Sequence, residues 1–509
     1  MESPILLDGK SLTIDAVEAV ANRGVPVALG DEARRRMLAT ERVVADIVES
    51  GKVVYGVTTG FGKLSEIAIP RDRLAELQVN LVRSHAAGVG PLLPTPEVRA
   101  MMLLRANVLA KGYSGARPVL VDLIAEMLNA GIHPSIHEQG SVGASGDLAP
   151  LAALGVALIG EGTLSSQGQP PGPAGDVLRS HGLEPVTLGP KEGITLINGT
   201  QAHTAIAALA VHAARILWRT AHVAGAMSLE ALLGTPTAFD ERIQSARGQA
   251  GQSQSAALLR DLLSGSEIRE SHRYGDPRVQ DAYCLRCMPQ VHGPVKDAID
   301  WIEAIVSREL NAATDNPLVF ETGETLSGGN FHGQAVGMAL DVLAIVMTNL
   351  ATIAERRIDR LVHPDFNEGL PAMLTREAGV NSGFMMAQVT AAALASECKV
   401  LSHPATVDTI PTDGNREDVV PMSMGAAWKA RRIIGNVRNV LAIELMCSAE
   451  GLDYRAPLRP GAKLVSAHRA VRSLVPALDR DRVLTVHIER LAWAVAEGFF
   501  TGEHGVEDS

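Results

Sequence analysis

Cysteine and aromatic residues are scarce in this sequence of 509 residues, and acidic residues outnumber basic ones. Four cysteines in a chain of this length do not make a disulfide framework, so a reducing compartment is favoured. Aromatic residues make up 3% of the chain and hydrophobic residues 46%, which favours a core of aliphatic side chains in closely packed helices. The net charge of −11 argues against a nucleic-acid partner, because binding phosphates requires a basic surface.

Long apolar runs are also absent, and so is a leader pattern at the N-terminus. Residues 148–160 are too few to cross a membrane, and residues 335–354 are interrupted by Asp341 and Asn349. The first ten residues contain no basic region followed by an apolar stretch. We therefore expect a cytoplasmic protein without a membrane partner.

The spacing of apolar residues predicts a mainly α fold with a bundle of long helices. These residues recur at helical intervals over 331–362, 383–401, 425–450 and 469–500. The first half is more irregular, and shorter helices are predicted at 14–22, 31–49, 71–85, 95–111 and 118–130. The turn-rich stretch between Gly160 and Gly182 predicts an exposed hairpin or loop. We place an approximate domain boundary near residue 220, which gives an N-terminal region over 1–220 and a long-helix region over 221–509.

One glycine-rich run, Gly140-Ser-Val-Gly-Ala-Ser-Gly-Asp, allows two interpretations. In the first, Ser145 or Asp147 caps the helix that follows. In the second, the Gly146 nitrogen attacks the Ala144 carbonyl, and loss of two waters leaves a methylidene on an imidazolone ring at Ser145. That group is a strong electrophile that needs no external cofactor and no metal ion. Its place near a helix N-terminus favours developing negative charge. The spacing alone leaves both interpretations open.

Further blocks decide between these interpretations. They are Tyr55-Gly-Val-Thr-Thr-Gly-Phe-Gly, Asn80-Leu-Val-Arg-Ser-His-Ala-Ala-Gly, Leu196-Ile-Asn-Gly-Thr, Gln280-Asp-Ala-Tyr-Cys-Leu-Arg, Glu309-Leu-Asn-Ala-Ala-Thr-Asp-Asn-Pro, Gly328-Gly-Asn-Phe-His-Gly-Gln and Asn381-Ser-Gly-Phe-Met-Met-Ala-Gln. With them, the chain resembles the ammonia-lyases and aminomutases that use a methylidene-imidazolone group, most closely their histidine-specific branch. The resemblance covers about residues 10 to 455. It implies a mainly α homotetramer with active sites shared between subunits, and a small amino acid as substrate.

The resemblance also implies roles for individual residues in the elimination of ammonia. The group formed from Ala144-Ser145-Gly146, with didehydroalanine at Ser145, would capture the amine, and a base would remove the β-proton. Tyr55 would be that base. Because a tyrosine pKa is ordinarily about 10, we expect nearby donors and positive charge to lower it. Tyr283 would be a second phenol that relays protons or orients the substrate.

Other side chains would bind the substrate or the imidazolone. Arg286 would hold the substrate carboxylate through two parallel donors. Gln280 and Asn198 would donate hydrogen bonds, and Phe331 would form a wall of the pocket. Arg286 could otherwise be an exposed helix arginine, and each of the other three residues could serve packing alone. Asp147 could accept a proton during cyclisation, although capping would also account for it.

His85 and Glu417 favour L-histidine as the substrate and urocanate as the product. His85 and the serine before it match the histidine branch, but the same pair occurs in some tyrosine aminomutases and lyases. Glu417 stands where phenylalanine and tyrosine enzymes typically have glutamine, and its carboxylate can pair with an imidazole N–H. A tyrosine ammonia-lyase or tyrosine 2,3-aminomutase therefore stays open, and a non-catalytic helical binding or assembly protein is a distant alternative.

The surroundings of Glu417 depart from the histidine-branch pattern. Arg416 replaces a glutamine, Val419 replaces a histidine, and Pro421-Met422 look inserted. Arg416 could pair with Glu417 and weaken its contact with an imidazole. The substrate is therefore less firmly predicted than the type of reaction.

Overall fold

The computed structural model describes residues 3–166 and 168–502, and the predicted mainly α fold is confirmed. Nineteen α-helices lie within the described residues. Up to residue 231 they are Ile14–Glu18, Asp31–Ser50, Leu74–His85, Thr95–Ala110, Pro118–Asn129, Leu148–Leu158, Ala174–Ser180, Glu192–Ile197 and Gln201–Ala231. The remaining ones are Glu241–Arg247, Ala250–Leu262, Glu267–Ser271, Tyr283–Arg286, Met288–Glu309, Gln334–Val362, Met385–Leu401, Ser423–Asp453, Ala462–Leu474 and Thr485–Ala496.

Most predicted helices form, with differences at their ends. The stretch predicted over 469–500 contains the end of one helix and the whole of the next, Ala462–Leu474 and Thr485–Ala496. In the first half, the helix that starts at Ile14 continues as a π-helix over Ala19–Arg23. Two long helices, Gln201–Ala231 and Met288–Glu309, were not predicted.

The strands in the described ranges are short and form four small sheets. Ile5–Leu7 pairs in parallel with Val27–Leu29, and the other pairs are antiparallel. Those others are Val89–Leu92 with His137–Gln139, Thr163–Ser166 with both Ile132–Pro134 and Gly172–Pro173, and Leu318–Val319 with Thr325–Leu326. Ile5 is opposite Val27, and His133 is opposite Ser165. The predicted hairpin after Gly160 is therefore confirmed, and the helix Ala174–Ser180 follows it directly.

The chain forms two compact units, each assembled from separate stretches of sequence. The first comprises the described residues up to His212, with Ile302–Asp341 and Pro404–Trp428. The second comprises Ala213–Trp301, Val342–His403 and the described residues from Lys429 onwards. The boundary near residue 220 stays a prediction.

A buried cation organises the core of the first unit. The helix Thr95–Ala110 is buried on every side from Glu97 onwards, and it carries Arg105. The guanidinium of Arg105 donates to the carbonyls of Thr195, at 2.8 Å, and Asn198, at 2.9 Å. Burial lowers the pKa of Arg105 to about 10, so the side chain is still charged at neutral pH. This contact fixes the turn that enters the helix Gln201–Ala231.

A buried ion pair joins three long helices inside the second unit. Arg357 donates to both carboxylate oxygens of Glu444, at 2.5 and 2.9 Å, and Ser228 donates to the same carboxylate at 2.8 Å. Arg357 lies on Gln334–Val362, a helix long and apolar enough to span a membrane, and 67% of its most apolar window is buried inside the structure. Such burial is typical of a core helix.

Candidate active site

Two cavities of the first unit meet at Ser145. Their volumes are about 400 and 460 Å³. Both are lined by Tyr55, Gly62, Ser145, Asp413 and Glu417. The smaller cavity is also lined by Ala144, Asn316, Phe331, His332 and Arg416, and the larger one by Asn80, Ser84, His85, Leu148 and Asn198. The structure thus brings Tyr55, His85, Asn198, Phe331 and Glu417 together around the Ala-Ser-Gly run.

A tight contact between two chain segments shapes this run. Gly146 has a φ of +74°, and a Cβ there would lie 2.0 Å from the Gly199 carbonyl oxygen, so only glycine fits. The Ser145 carbonyl oxygen accepts hydrogen bonds from Asn198 Nδ2, at 3.0 Å, and from the Gly199 N–H, at 3.3 Å. Two donors aimed at one oxygen stabilise negative charge that develops there.

The residues around Ser145 fit the methylidene-imidazolone that the resemblance implies. Among the described residues, no acceptor pairs with the Gly146 N–H, which is the nitrogen that ring closure requires. Ala144, whose carbonyl would be attacked, is 4% exposed and therefore shielded from competing water. Asn198 Oδ1 is buried, and no described residue donates a hydrogen bond to it. This oxygen can therefore accept from a donor that enters the cavity.

Asp147 has a different role from the predicted one. It occupies the N-cap position of the helix Leu148–Leu158, but its side chain does not cap that helix. The carboxylate instead accepts from the N–H groups of Ala202, at 2.9 Å, and His203, at 3.0 Å, in the first turn of the helix Gln201–Ala231. Ser141 donates to its other oxygen at 2.8 Å. Burial would raise the pKa of Asp147, but the charge and hydrogen bonds of His203 and Ser141 hold it below its ordinary value.

Glu417 is held with one carboxylate oxygen toward Ser145. The Ser145 hydroxyl donates to Oε1, and the Thr412 hydroxyl donates to Oε2 at 2.5 Å. The backbones of Thr412 and Glu417 also pair, through N–H···O contacts of 2.9 and 3.4 Å. Arg416 does not neutralise Glu417, because its guanidinium is turned toward the exposed Glu66 at 3.5 Å. The pairing of Arg416 with Glu417 that the sequence left open is therefore wrong.

The electrostatic surroundings of Tyr55 differ from the expected ones. Burial raises the pKa of the Tyr55 phenol above its ordinary value. The carboxylates of Asp413, Glu417 and Asp315 raise this pKa further, while a hydrogen bond from the Gly62 N–H acts in the opposite direction. The expected lowering of the Tyr55 pKa is therefore wrong within the first unit, where burial and these carboxylates outweigh the Gly62 hydrogen bond.

His85 lines the larger cavity and Phe331 lines the smaller one. His85 ends the helix Leu74–His85, and its Nδ1 lies 2.9 Å from the Leu81 carbonyl oxygen. Because that oxygen can only accept, Nδ1 carries the proton and Nε2 is left as an acceptor when the ring is neutral. Phe331 lines the smaller cavity, and the neighbouring His332 is fixed by its contact of 3.1 Å with the Val419 carbonyl.

Three candidate residues lie in the second unit: Gln280, Tyr283 and Arg286. None of the described residues of that unit lines either cavity. Tyr283 is 72% exposed, and the Arg286 guanidinium lies 4.6 Å from the centre of its ring.

Thr412 and Asp413 were not predicted from the sequence, although both belong to the segment that carries Glu417.

The sequence matches the model of the family described as aromatic amino acid lyase over residues 12–473. The chain belongs to the aromatic amino acid lyase family. It is an enzyme of the carbon–nitrogen lyase class. Relatives in this family include the histidine ammonia-lyase of Anaeromyxobacter sp. (strain K), which is 54% identical over 97% of this chain and 99% of its own. That of Koribacter versatilis is 53% identical over 94% and 95%.

Solved structures of this lyase family have the same fold. The crystal structure of histidine ammonia-lyase from Trypanosoma cruzi superposes with a TM-score of 0.90, at 42% identity, over 100% of this chain and 99% of that one. A tyrosine aminomutase from Streptomyces globisporus superposes with a TM-score of 0.93, at 37% identity, over 98% of both chains. The fold is therefore common to lyases and aminomutases, so the substrate must be argued from individual residues.

Proposed function

We propose that this enzyme eliminates ammonia from L-histidine non-oxidatively and releases urocanate. The observation that carries the proposal is the Glu417 carboxylate, which faces Ser145 in a cavity that His85 also lines. The Glu417 carboxylate and His85 Nε2 are both acceptors, and they suit a substrate ring that carries N–H donors, as an imidazole does and a phenyl ring does not. The names of the bacterial relatives at 53–54% identity support the same substrate.

The proposed electrophile is a 4-methylidene-imidazol-5-one formed from Ala144, Ser145 and Gly146. When present, it supplies an electrophilic carbon that captures the substrate amine and so improves the leaving group. Asn198 and the Gly199 N–H hold the Ser145 carbonyl oxygen in position and stabilise negative charge on it. The Gly146 N–H, which no described acceptor pairs, and the close approach of Gly146 to Gly199 support ring closure at this place.

The remaining residues of the cavities would orient the substrate and move its proton. His85 Nε2 or Glu417 would accept from the single N–H of a neutral substrate imidazole, and together they would accept from both N–H groups of an imidazolium. Tyr55 would take the β-proton, which requires a phenolate and hence a positive charge nearby. Phe331 would pack against the substrate chain.

A homotetramer would supply that positive charge. In this proposal Gln280, Tyr283 and Arg286 of one copy complete the cavities of another, with Arg286 on the substrate carboxylate. Support comes from the segment around them, where Tyr274 is 87% exposed and Val279 is 97% exposed, as expected of side chains that a partner covers. A cytoplasmic location fits the few cysteines and the reducing conditions that they favour.

A tyrosine lyase or tyrosine 2,3-aminomutase is the second candidate, because a tyrosine aminomutase superposes over nearly the whole chain. The deciding experiment incubates the purified enzyme separately with L-histidine, L-tyrosine and L-phenylalanine. Free ammonia and the conjugated product are measured, and β-amino acid is assayed in parallel. We expect ammonia and urocanate from histidine at the highest kcat/KM. Preference for tyrosine, or a β-amino acid as the main product, would overturn the proposal.

A further inference from the structure

We propose that Glu417, held in place by Thr412, also acts before any substrate binds, as the acid–base group that removes the Ser145 hydroxyl while the electrophile forms. The inference rests on the proposed function, because it takes the cyclisation of Ala144-Ser145-Gly146 as given. It assigns Glu417 a second task that substrate recognition does not require.

The contact that supports this task belongs to the unmodified chain. The Ser145 hydroxyl donates to Glu417 Oε1, although the two residues are 272 positions apart. Elimination of water would destroy this hydrogen bond, so it has no part in the mature site. A general acid or base must lie within hydrogen-bond reach of the atom that it serves, and Glu417 meets that condition for the Ser145 oxygen.

The chemistry of the step balances without an outside reagent. Ring closure expels the first water, which takes the Ala144 oxygen and the N–H protons of Ser145 and Gly146. In the second loss, Glu417 takes the proton from Ser145 Cα, and the electrons of that C–H bond form the Cα–Cβ double bond. The Cβ–Oγ bond breaks with its electron pair on oxygen. Glu417 then returns the proton to that oxygen, so that water leaves and the carboxylate is regenerated.

Other carboxylates near Ser145 are less suited to this task. Both oxygens of Asp147 are engaged by Ser141, Ala202 and His203, which hold it as an anion. Asp413 accepts from the Lys63 N–H at 3.4 Å. Within the described part of the chain, Glu417 is the carboxylate that hydrogen-bonds the Ser145 hydroxyl.

Thr412 is a positioning residue in this scheme. Its hydroxyl donates to Glu417 Oε2 at 2.5 Å, and the backbone pairing of the two residues fixes their separation. One carboxylate oxygen is thereby held by a neutral donor, and the other is left for Ser145. Because the Arg416 guanidinium is turned toward Glu66, it does not compete with Ser145 and Thr412 for the Glu417 carboxylate oxygens.

The test follows the mass of newly made full-length chains, quenched in acid at intervals during cell-free synthesis, with peptide mapping of residues 144–146. We expect wild type to become two waters lighter. Glu417→Gln should accumulate a species one water lighter, with the ring closed and the hydroxyl retained, and should lose the second water about a hundredfold more slowly. Glu417→Asp should restore part of the rate. Glu66→Gln, a carboxylate-to-amide change in the exposed partner of Arg416, is the matched control and should mature as wild type does.

Thr412→Val tests the inference with Glu417 left in place. It should slow the second water loss about tenfold, and Thr412→Ser should restore the wild-type rate. Loss of both waters from Glu417→Gln at the wild-type rate would overturn the inference, and so would retention of its full encoded mass. A wild-type chain that keeps its full mass while active would instead overturn the proposed function, so the two failures are distinguishable.

Discussion

The two units of the chain treat their candidate residues differently. In the first, Ser145 and Glu417 are fixed by hydrogen bonds from Asn198, Gly199 and Thr412. In the second unit, Tyr283 is 72% exposed. None of the described residues of this unit lines the cavities at Ser145. The difference teaches that the chain fixes Ser145 and Glu417 by its own hydrogen bonds but leaves Tyr283 exposed beside Arg286, the arginine proposed to bind the substrate carboxylate.

Ser145→Ala gives the largest expected effect and tests the first side of the comparison. Without the hydroxyl no methylidene can form, so deamination should be abolished while the helical fold remains. Intact mass should show wild type two waters lighter than encoded and the variant without the second loss. Ammonia release and circular dichroism measure activity and fold. An active preparation that retains an intact Ser145 hydroxyl would contradict the mechanism.

Arg286→Ala tests the second side of the comparison. It should lower kcat/KM by about thirtyfold or more, since charge-assisted hydrogen bonds to a carboxylate contribute about 1.5–3 kcal/mol each. Co-expression of Arg286→Ala with Ser145→Ala should recover activity, because mixed tetramers contain sites with an intact Ser145 and an intact Arg286 from different copies. Each variant expressed alone is the control. If mixtures remain inactive, the shared site is wrong.

Glu417→Gln tests whether the fixed carboxylate selects the substrate. Activity is expressed per matured chain, which separates substrate recognition from maturation. We expect kcat/KM on histidine to fall at least about tenfold, because a hydrogen bond to a charged group is lost. Turnover of tyrosine and phenylalanine should fall less, and His85→Leu should shift preference in the same direction. Arg416→Gln should change histidine turnover less than about twofold, since its partner is the exposed Glu66. Unchanged histidine turnover in Glu417→Gln would contradict the assignment.

Asp413→Asn gives the smallest expected effect and tests the electrostatics around Tyr55. The Asp413 carboxylate raises the pKa of Tyr55, so a neutral side chain there should lower it. Tyr55 would act as a base in its phenolate form, so kcat/KM should rise with pH through the pKa of Tyr55. The rising limb should move to lower pH in Asp413→Asn, by less than about one pH unit. Glu66→Gln should leave the limb in place. A shift to higher pH would exclude Tyr55 as the titrating group.

Local patterns predicted the elements well and long-range contacts poorly. Apolar periodicity located Gln334–Val362 and Met385–Leu401 because each buries a face of regular spacing. It did not reveal that Asp147 caps a helix that begins 54 residues later, since capping at a distance depends on tertiary packing. The acidic surroundings of Tyr55 were missed for the same reason, because Asp413 is distant in sequence.

The family blocks located most of the candidate site, but not its support. They brought out His85 and Asn198, and the residue type typical of each substrate branch brought out Glu417. All three line the larger cavity. Thr412 could not be identified from the sequence, because a threonine five residues before a glutamate is common in loops. Its role follows only from the hydrogen bond that its hydroxyl donates to the Glu417 carboxylate. The division into two units was also hidden, since each is made of stretches that are far apart in sequence.

The approach of Gly146 to Gly199 would make the timing of the proposed cyclisation depend on folding. Ser145 acquires its carbonyl donors only after residue 199 has been synthesised and folded back onto residue 146. If the electrophile forms as proposed, a nascent or misfolded chain would lack the geometry to make it, which would spare other cellular nucleophiles from alkylation. Each chain that has lost two waters would carry a permanent record that its folding was completed.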